Sequence, residues 1–317
     1  MNGGDHSHSH GHNHSVGHSH LAPARNRRVL WLVLALNGIF LVVEFSGGLL
    51  FGSLALLADA VHMLSDVAAL AIALVATALV SRPRSKRHTF GLLRSEVLAA
   101  QANGVLLFAA GVWVLVESAR RIGDPPETQG LGVLGVAAVG LAINLGSAWL
   151  LHGSRHDNLN MRGAYLHMLA DAAGSVAAIV AGAAALASAF WVDPLVSAVV
   201  GVMVLWSAYS LLRQTTHVLL EGAPDHIDSD EISAALLDAP EVVEVHHLHL
   251  WFLASDTVAL SGHVVLDGEP PLHTAQVVGD RLKADLRERF GIGHATLELE
   301  CHACEPDPAD CQPTSTE

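Results

Sequence analysis

The chain has 317 residues, of which 51% are apolar and only 15% charged, and its net charge is −14 with neutral histidines. A mean hydropathy of +0.41 excludes a wholly soluble protein, and no nucleic-acid partner is expected of so acidic a chain. Its 21 histidines are too many for ordinary packing, and its three cysteines, Cys301, Cys304 and Cys311, cluster at one end, so no disulfide framework holds the body.

Residues 1–28 are expected to be a disordered cytoplasmic tail. His6, His8, His10, His12, His14, His18 and His20 alternate with Ser, Gly or Asn or stand close together, which leaves no apolar face to bury and several imidazoles to bind metal loosely. No secretory h-region and cleavage site follow in the usual order. Six apolar runs come next, near 29–51, 54–80, 95–118, 131–151, 163–187 and 190–212. Each is close to the roughly 20 helical residues that cross a hydrocarbon layer of about 30 Å. Residues 29–213 therefore read as an all-α six-helix bundle in a lipid bilayer. Six spans put both termini on one side. Arg25, Arg27 and Arg28, then Arg82, Arg84, Lys86, Arg87 and Arg94, then Arg155 and Arg162 share one face, against Arg120 and Arg121 on the other, which assigns both termini to the cytoplasm. Short connections favour a bacterial inner membrane.

Within the second run, His62 and Asp66 are four residues apart, one helical turn above each other on a single face. Asp59 precedes them by one turn. An isolated carboxylate in the middle of a membrane helix is disfavoured by roughly 2.5–3.5 kcal/mol, so this pattern needs a partner. The fifth run repeats the word: HMLSD in the second becomes HMLAD in the fifth, with His167 and Asp171 in the same frame. Two imidazoles and two carboxylates form a four-ligand set suited to tetrahedral Zn²⁺. Spans two and five run in opposite directions, so the two motifs are expected to meet antiparallel near the midplane. Asn37, Glu44 and Asp193 are further polar residues at membrane depth; with Asp59 they are candidates for a supporting polar layer or a proton path, beside ordinary inter-helix hydrogen bonds.

After Arg213 the composition changes: from Glu221 to the end there are 20 acidic residues and four basic ones. The pattern reads helix 229–237, strand 242–252, strand 257–266, helix 272–290 and strand 295–300, with Asp267-Gly268 closing the second strand. That order suits a small α+β domain over 214–304, with 305–317 as a second disordered tail. His246 and His249 lie three apart in VHHLHLW, His247 is expected to point to the other face of the strand, and His263 sits on the adjacent strand. Glu300, Cys301, His302 and Cys304 follow the last strand. Together, His246, His249, His263, Glu300, Cys301, His302 and Cys304 are candidate ligands of a second Zn²⁺. No organic cofactor is expected.

These features resemble the cation diffusion facilitator family, in its zinc-type branch of bacterial zinc, cadmium and cobalt exporters and vesicular zinc transporters. The resemblance rests on GSLALLADAVHMLSD (Gly52 to Asp66), FGLLRSEVLAA (Phe90 to Ala100), HMLADAAGS (His167 to Ser175), WVDPLVSAVVG (Trp191 to Gly201) and VHHLHLW (Val245 to Trp251). It implies a Y-shaped homodimer whose cytoplasmic domain is ferredoxin-like, or metallochaperone-like, and binds metal. It also implies that His62, Asp66, His167 and Asp171 form the transport site of a Zn²⁺/H⁺ antiporter, with Cd²⁺ or Co²⁺ as further cargo. The rival readings are a membrane-anchored zinc sensor and an intramembrane zinc hydrolase; the latter needs a His-Glu-x-x-His string that the sequence lacks. The chain departs from some members in carrying His88 but Leu92 after span two, and in having its His-rich tract at the N-terminus rather than between spans four and five.

Overall fold

The computed structural model describes residues 24–80, 85–152, 159–254 and 257–302, and within them leaves out the side chains of 24–34, 66, 69–80, 159–164 and 167. The tail histidines and Cys304 lie outside the described residues.

Six long helices form the membrane domain: α1 (Ala24–Phe51), α2 (Leu54–Val80), α3 (Ser95–Gly123), α4 (Gly130–His152), α5 (Leu159–Leu186) and α6 (Val192–Leu219). Among the described residues α3, α4, Met168–Leu186 of α5 and α6 are long and apolar enough to cross a membrane, and α1 and α2 contribute the apolar segments Ala35–Phe51 and Leu54–Ser65. Two boundaries differ from the sequence expectation. Helix α1 begins at Ala24, inside the segment expected as tail, and α6 continues past Arg213 to Leu219. Helical hydrogen bonding does not stop at the membrane surface, and neither segment has a Pro or Gly to break it.

α3 packs chiefly on α6, and α4 on α5, with α1 and α2 bridging the two pairs. Small residues allow the close approaches: a Cβ at Gly104 or Gly111 of α3 would press on Leu212 or Leu205 of α6. The start of α2 is fastened from three sides. Asp193 of α6 accepts hydrogen bonds from Ser53 Oγ (2.6 Å), Leu54 N (2.8 Å) and Ala55 N (3.3 Å), so a neighbouring helix supplies the N-cap. Arg121 of α3 donates to the Gly52 carbonyl (2.9 Å) and to Glu117 (2.9 Å). Gln129 N, just before α4, donates to the Phe51 carbonyl at 3.1 Å. Gly52 turns the chain between α1 and α2 at φ 70°, where a side chain would be strained.

The soluble domain is α7 (Ser229–Leu237), β1 (Val242–Ala254), β2 (Thr257–Leu266), α8 (Leu272–Phe290) and β3 (His294–Glu300). β1 and β2 form an antiparallel pair, β2 and β3 a parallel one, in the order β1-β2-β3. This is a ferredoxin-like layout with three strands, lacking the first strand of the complete βαββαβ unit among the described residues. Ile232, Leu236, Leu260, Val264, Leu282, Leu286 and Ile292 form its core. Asp228 caps α7 by accepting from Asp230 N at 2.9 Å, and Gly291 ends α8 in the left-handed region. On the surface, the Arg281 guanidinium holds the Glu241 carboxyl below its ordinary range through their hydrogen bond.

Among the described residues, side chains of the two domains meet at the segment before α3. Arg94, at the start of α3, pairs with Glu221 at 3.0 Å, and the Phe90 ring stands edge-on to the His294 ring at 5.3 Å. Gln101 of α3 also bonds Thr215 and Thr216 on the extension of α6.

Replacing Asp193 by Ala strands two buried backbone donors and the Ser53 hydroxyl. Asp193→Ala is expected to destabilise the detergent-solubilised protein by about 2 kcal/mol, read as a lower unfolding midpoint, and Asp193→Asn by less.

Candidate functional site: an antiparallel polar seam in the membrane

Helices α2 and α5 are separated by three chain reversals and run antiparallel. His62 Nε2 of α2 lies 3.6 Å from Asp171 Oδ1 of α5; the Asp171 side chain is 3% exposed and that of His62 is 32% exposed. One turn earlier on α2, Asp59 is buried, and it lies against Gly174, one turn later on α5; a Cβ at Gly174 would overlap the Asp59 carboxyl. A further turn along the same seam, Ala55 and Ala178 share one buried cluster. Each step along α2 is thus matched by an equal step back along α5. The side chains of Asp66 and His167 lie outside the described residues, but both positions are on these helices, one turn beyond His62 and one turn before Asp171.

The α1 residues line the same seam. Glu44 is fully buried, with the carboxyls of Asp59 and Asp171 close enough to act on it electrostatically. Asn37 Nδ2 donates to Met168 Sδ at 3.6 Å, and Asn144 of α4 donates to Ser175 Oγ of α5 at 3.4 Å. Asp193 is elsewhere: its carboxylate is fully used in capping α2, and from Leu54 to His62 the helix rises roughly 12 Å. Its expected place beside the ligands is corrected to a structural one. Gly174 is the seam residue that sequence reasoning missed; its signal was a glycine inside an otherwise strong helix pattern, three residues after an intramembrane aspartate.

A second cluster lies on the soluble sheet. His246 of β1 pairs in register with His263 of β2, and β2 neighbours β3 with Glu300. His263 Nδ1 is 2.6 Å from Glu300 Oε1, and His246 Nε2 is 3.4 Å from Glu300 Oε2. One ligand atom from each of His246, His263 and Glu300 lies within 4.8 Å of the others. These three partly buried groups fit a borderline dication such as Zn²⁺.

The expected alternation fails between His246 and His249, one of three register shifts along β1. His246 pairs with His263 but His249 with Ser261, three residues on β1 for two on β2, so one extra residue forms a β-bulge. His247 takes the left-handed conformation there, at φ 51°. The outcome overturns the expectation for His247, while His249, opposite Ser261, keeps the His246 face but sits farther along it. His247 joins His246 and His263, with ring centres 5.0 and 4.9 Å away, and His249 instead lines a cavity of about 1070 Å³ between the sheet and residues 88–95. Cys301 and His302 are exposed beyond β3 and outside the trio.

The model of the cation efflux transmembrane domain matches residues 30–220, and that of the cation efflux protein cytoplasmic domain matches residues 224–302. The metal cation efflux system protein CzcD of Cupriavidus metallidurans is 41% identical over 92% of this chain and 92% of its own. Zinc transporter ZitB of Escherichia coli is 40% identical over 95% of each, and the cadmium, cobalt and zinc/H(+)-K(+) antiporter of Bacillus subtilis 36% over 94% of this chain and 96% of its own. Fold and matches define a multi-pass membrane cation transporter. The chain belongs to the cation efflux family, and its function is divalent metal efflux; the sensor and hydrolase readings find no support.

The seam register makes a direct prediction. In a background without native cysteines, Asp66→Cys together with His167→Cys is expected to cross-link readily within one subunit under mild oxidation, whereas Asp66→Cys with Ala173→Cys is not.

Proposed function

We propose that the chain exports Zn²⁺ from the cytoplasm in exchange for protons, by alternating access around His62, Asp66, His167 and Asp171, with Cd²⁺ and Co²⁺ as secondary cargo. The observation that carries this reading is the antiparallel seam. His62 faces Asp171, and the same register, continued by one turn, brings Asp66 to His167. Two carboxylates would neutralise the dication, and two imidazoles favour zinc over manganese, which prefers octahedral oxygen. Cadmium, cobalt and zinc are printed in the names of related transporters, which supports the same choice.

Proton coupling follows from ligand chemistry. Zinc takes neutral imidazole and ionised carboxylate, so loading releases protons and protonation expels the ion. Glu44 and Asp59 form the wall of the site toward α1, suitably placed to receive those protons. Both termini are taken as cytoplasmic, in a bacterial inner membrane; the clasped end of α2, held by Asp193 and Arg121, is then the outer end. The continuously buried stretch from Ser53 to Ala60 lies between it and the ligands, so the described arrangement is closed outward. The trio of His246, His263 and Glu300 would hold a second, regulatory zinc in a domain through which two subunits pair. Exposed apolar side chains there, Val243, Leu272 and Val277, suit such a contact.

In proteoliposomes with an imposed pH gradient, the wild-type chain is expected to move zinc against protons, and Asp171→Ala to lower flux by about 100-fold. Zinc binding without gradient-driven flux would sink the transporter reading. His62→Asp is expected to narrow the preference for zinc over cadmium. Gly174→Ala, which displaces Asp59, is expected to slow flux more than Ala173→Leu on the exposed face.

A further inference from the structure

We propose that His247 is a fourth ligand of the cytoplasmic zinc site, giving it three imidazoles and one carboxylate from a single subunit. The proposal rests on the reading of His246, His263 and Glu300 as a zinc site, and adds a residue that alternation along the strand had pointed away from it.

The three imidazole rings form a nearly equilateral triangle. Their centres are 5.0 Å apart for His246 and His247, 5.2 Å for His246 and His263, and 4.9 Å for His247 and His263. A zinc–nitrogen bond of about 2.0–2.1 Å puts a ring centre about 3.2 Å from the ion, so two rings at the tetrahedral angle stand about 5 Å apart. The observed triangle has that size. Its rings are steeply inclined to one another, at 86°, 53° and 54°, rather than stacked as simple packing partners. Glu300 approaches both His246 and His263 and supplies the anionic donor.

The backbone supports the same assignment. A bulge gives β1 one residue more than β2 between His246 and His249, and a histidine, not a glycine, occupies the left-handed position. Left-handed non-glycine residues concentrate where a site needs a side chain held in an unusual direction. Without the extra residue, strict alternation would turn His247 to the opposite face, away from His246 and His263. The atoms already within 4.8 Å of one another belong to His246, His263 and Glu300, and the His247 ring centre stands 5.0 and 4.9 Å from those of the two histidines. Four protein ligands with no position left for water make a closed site, which is the coordination of structural and regulatory zinc rather than of catalytic zinc.

The test uses the full-length chain with Asp171→Ala in the membrane and serine at the seven tail histidines, so that competing sites are removed. Zn²⁺ affinity is read by competition with a chromophoric chelator, and Co²⁺ substitution gives the ligand-field spectrum. His246→Ala is expected to abolish the remaining tight site. His247→Gly, which tolerates the left-handed backbone without strain, is expected to weaken zinc at least tenfold and to shift the Co²⁺ bands, while His249→Ala changes affinity less than twofold. If His246→Ala abolishes binding but His247→Gly leaves affinity and spectrum unchanged, the fourth ligand is refuted and the trio stands. If His246→Ala has no effect, the trio itself fails and His247 with it. Unchanged unfolding of metal-free His247→Gly shows that a weakened site reports the lost imidazole and not a lost fold.

Discussion

Charged groups at membrane depth cannot face acyl chains, and that constraint fixes how the helices of this protein meet. Asp59, Asp171 and Glu44 are all nearly inaccessible, and each is turned into the seam between α2, α5 and α1. Burying three carboxyl groups together is strongly unfavourable unless protons or a cation offset their mutual repulsion. The seam therefore needs protons or a cation among these carboxyl groups. Around it the remaining helices serve as scaffold: α4 supports α5 through Asn144 and Ser175, and α6 supports α2 through Asp193.

Much of this was legible in the residues. Six apolar runs mapped onto six helices because hydropathy and length are nearly sufficient to define a membrane span. The doubled His-x-x-x-Asp pointed to α2 and α5 because a single period, four residues, is shared by the motif and the helix. Asp193 was harder to read. At sequence level it is one more intramembrane acid, and only the placement of α6 against the first turn of α2 reveals it as a cap for another helix. Gly174 carried only the faint mark of a glycine within a helix, since sequence alone does not say which neighbour comes close.

In the soluble domain, element order and boundaries followed from alternating strands and amphipathic helices, with Gly291 closing α8 where the left-handed turn requires it. The face of each histidine did not follow. A β-bulge changes the parity of every residue beyond it, and nothing in VHHLHLW announces where the extra residue goes. The pairings of His246 with His263 and of His249 with Ser261 locate it.

The loop after α2 is held by the soluble domain rather than by the lipid bundle. Phe90 rests against His294 and Arg94 against Glu221, and these grips lie at the ends of β3 and α6. α2 carries half of the seam, and Asp193 and Arg121 hold its start, at the opposite end from this connection. A helix fastened at both ends in this way is one on which a shift of the sheet would pull.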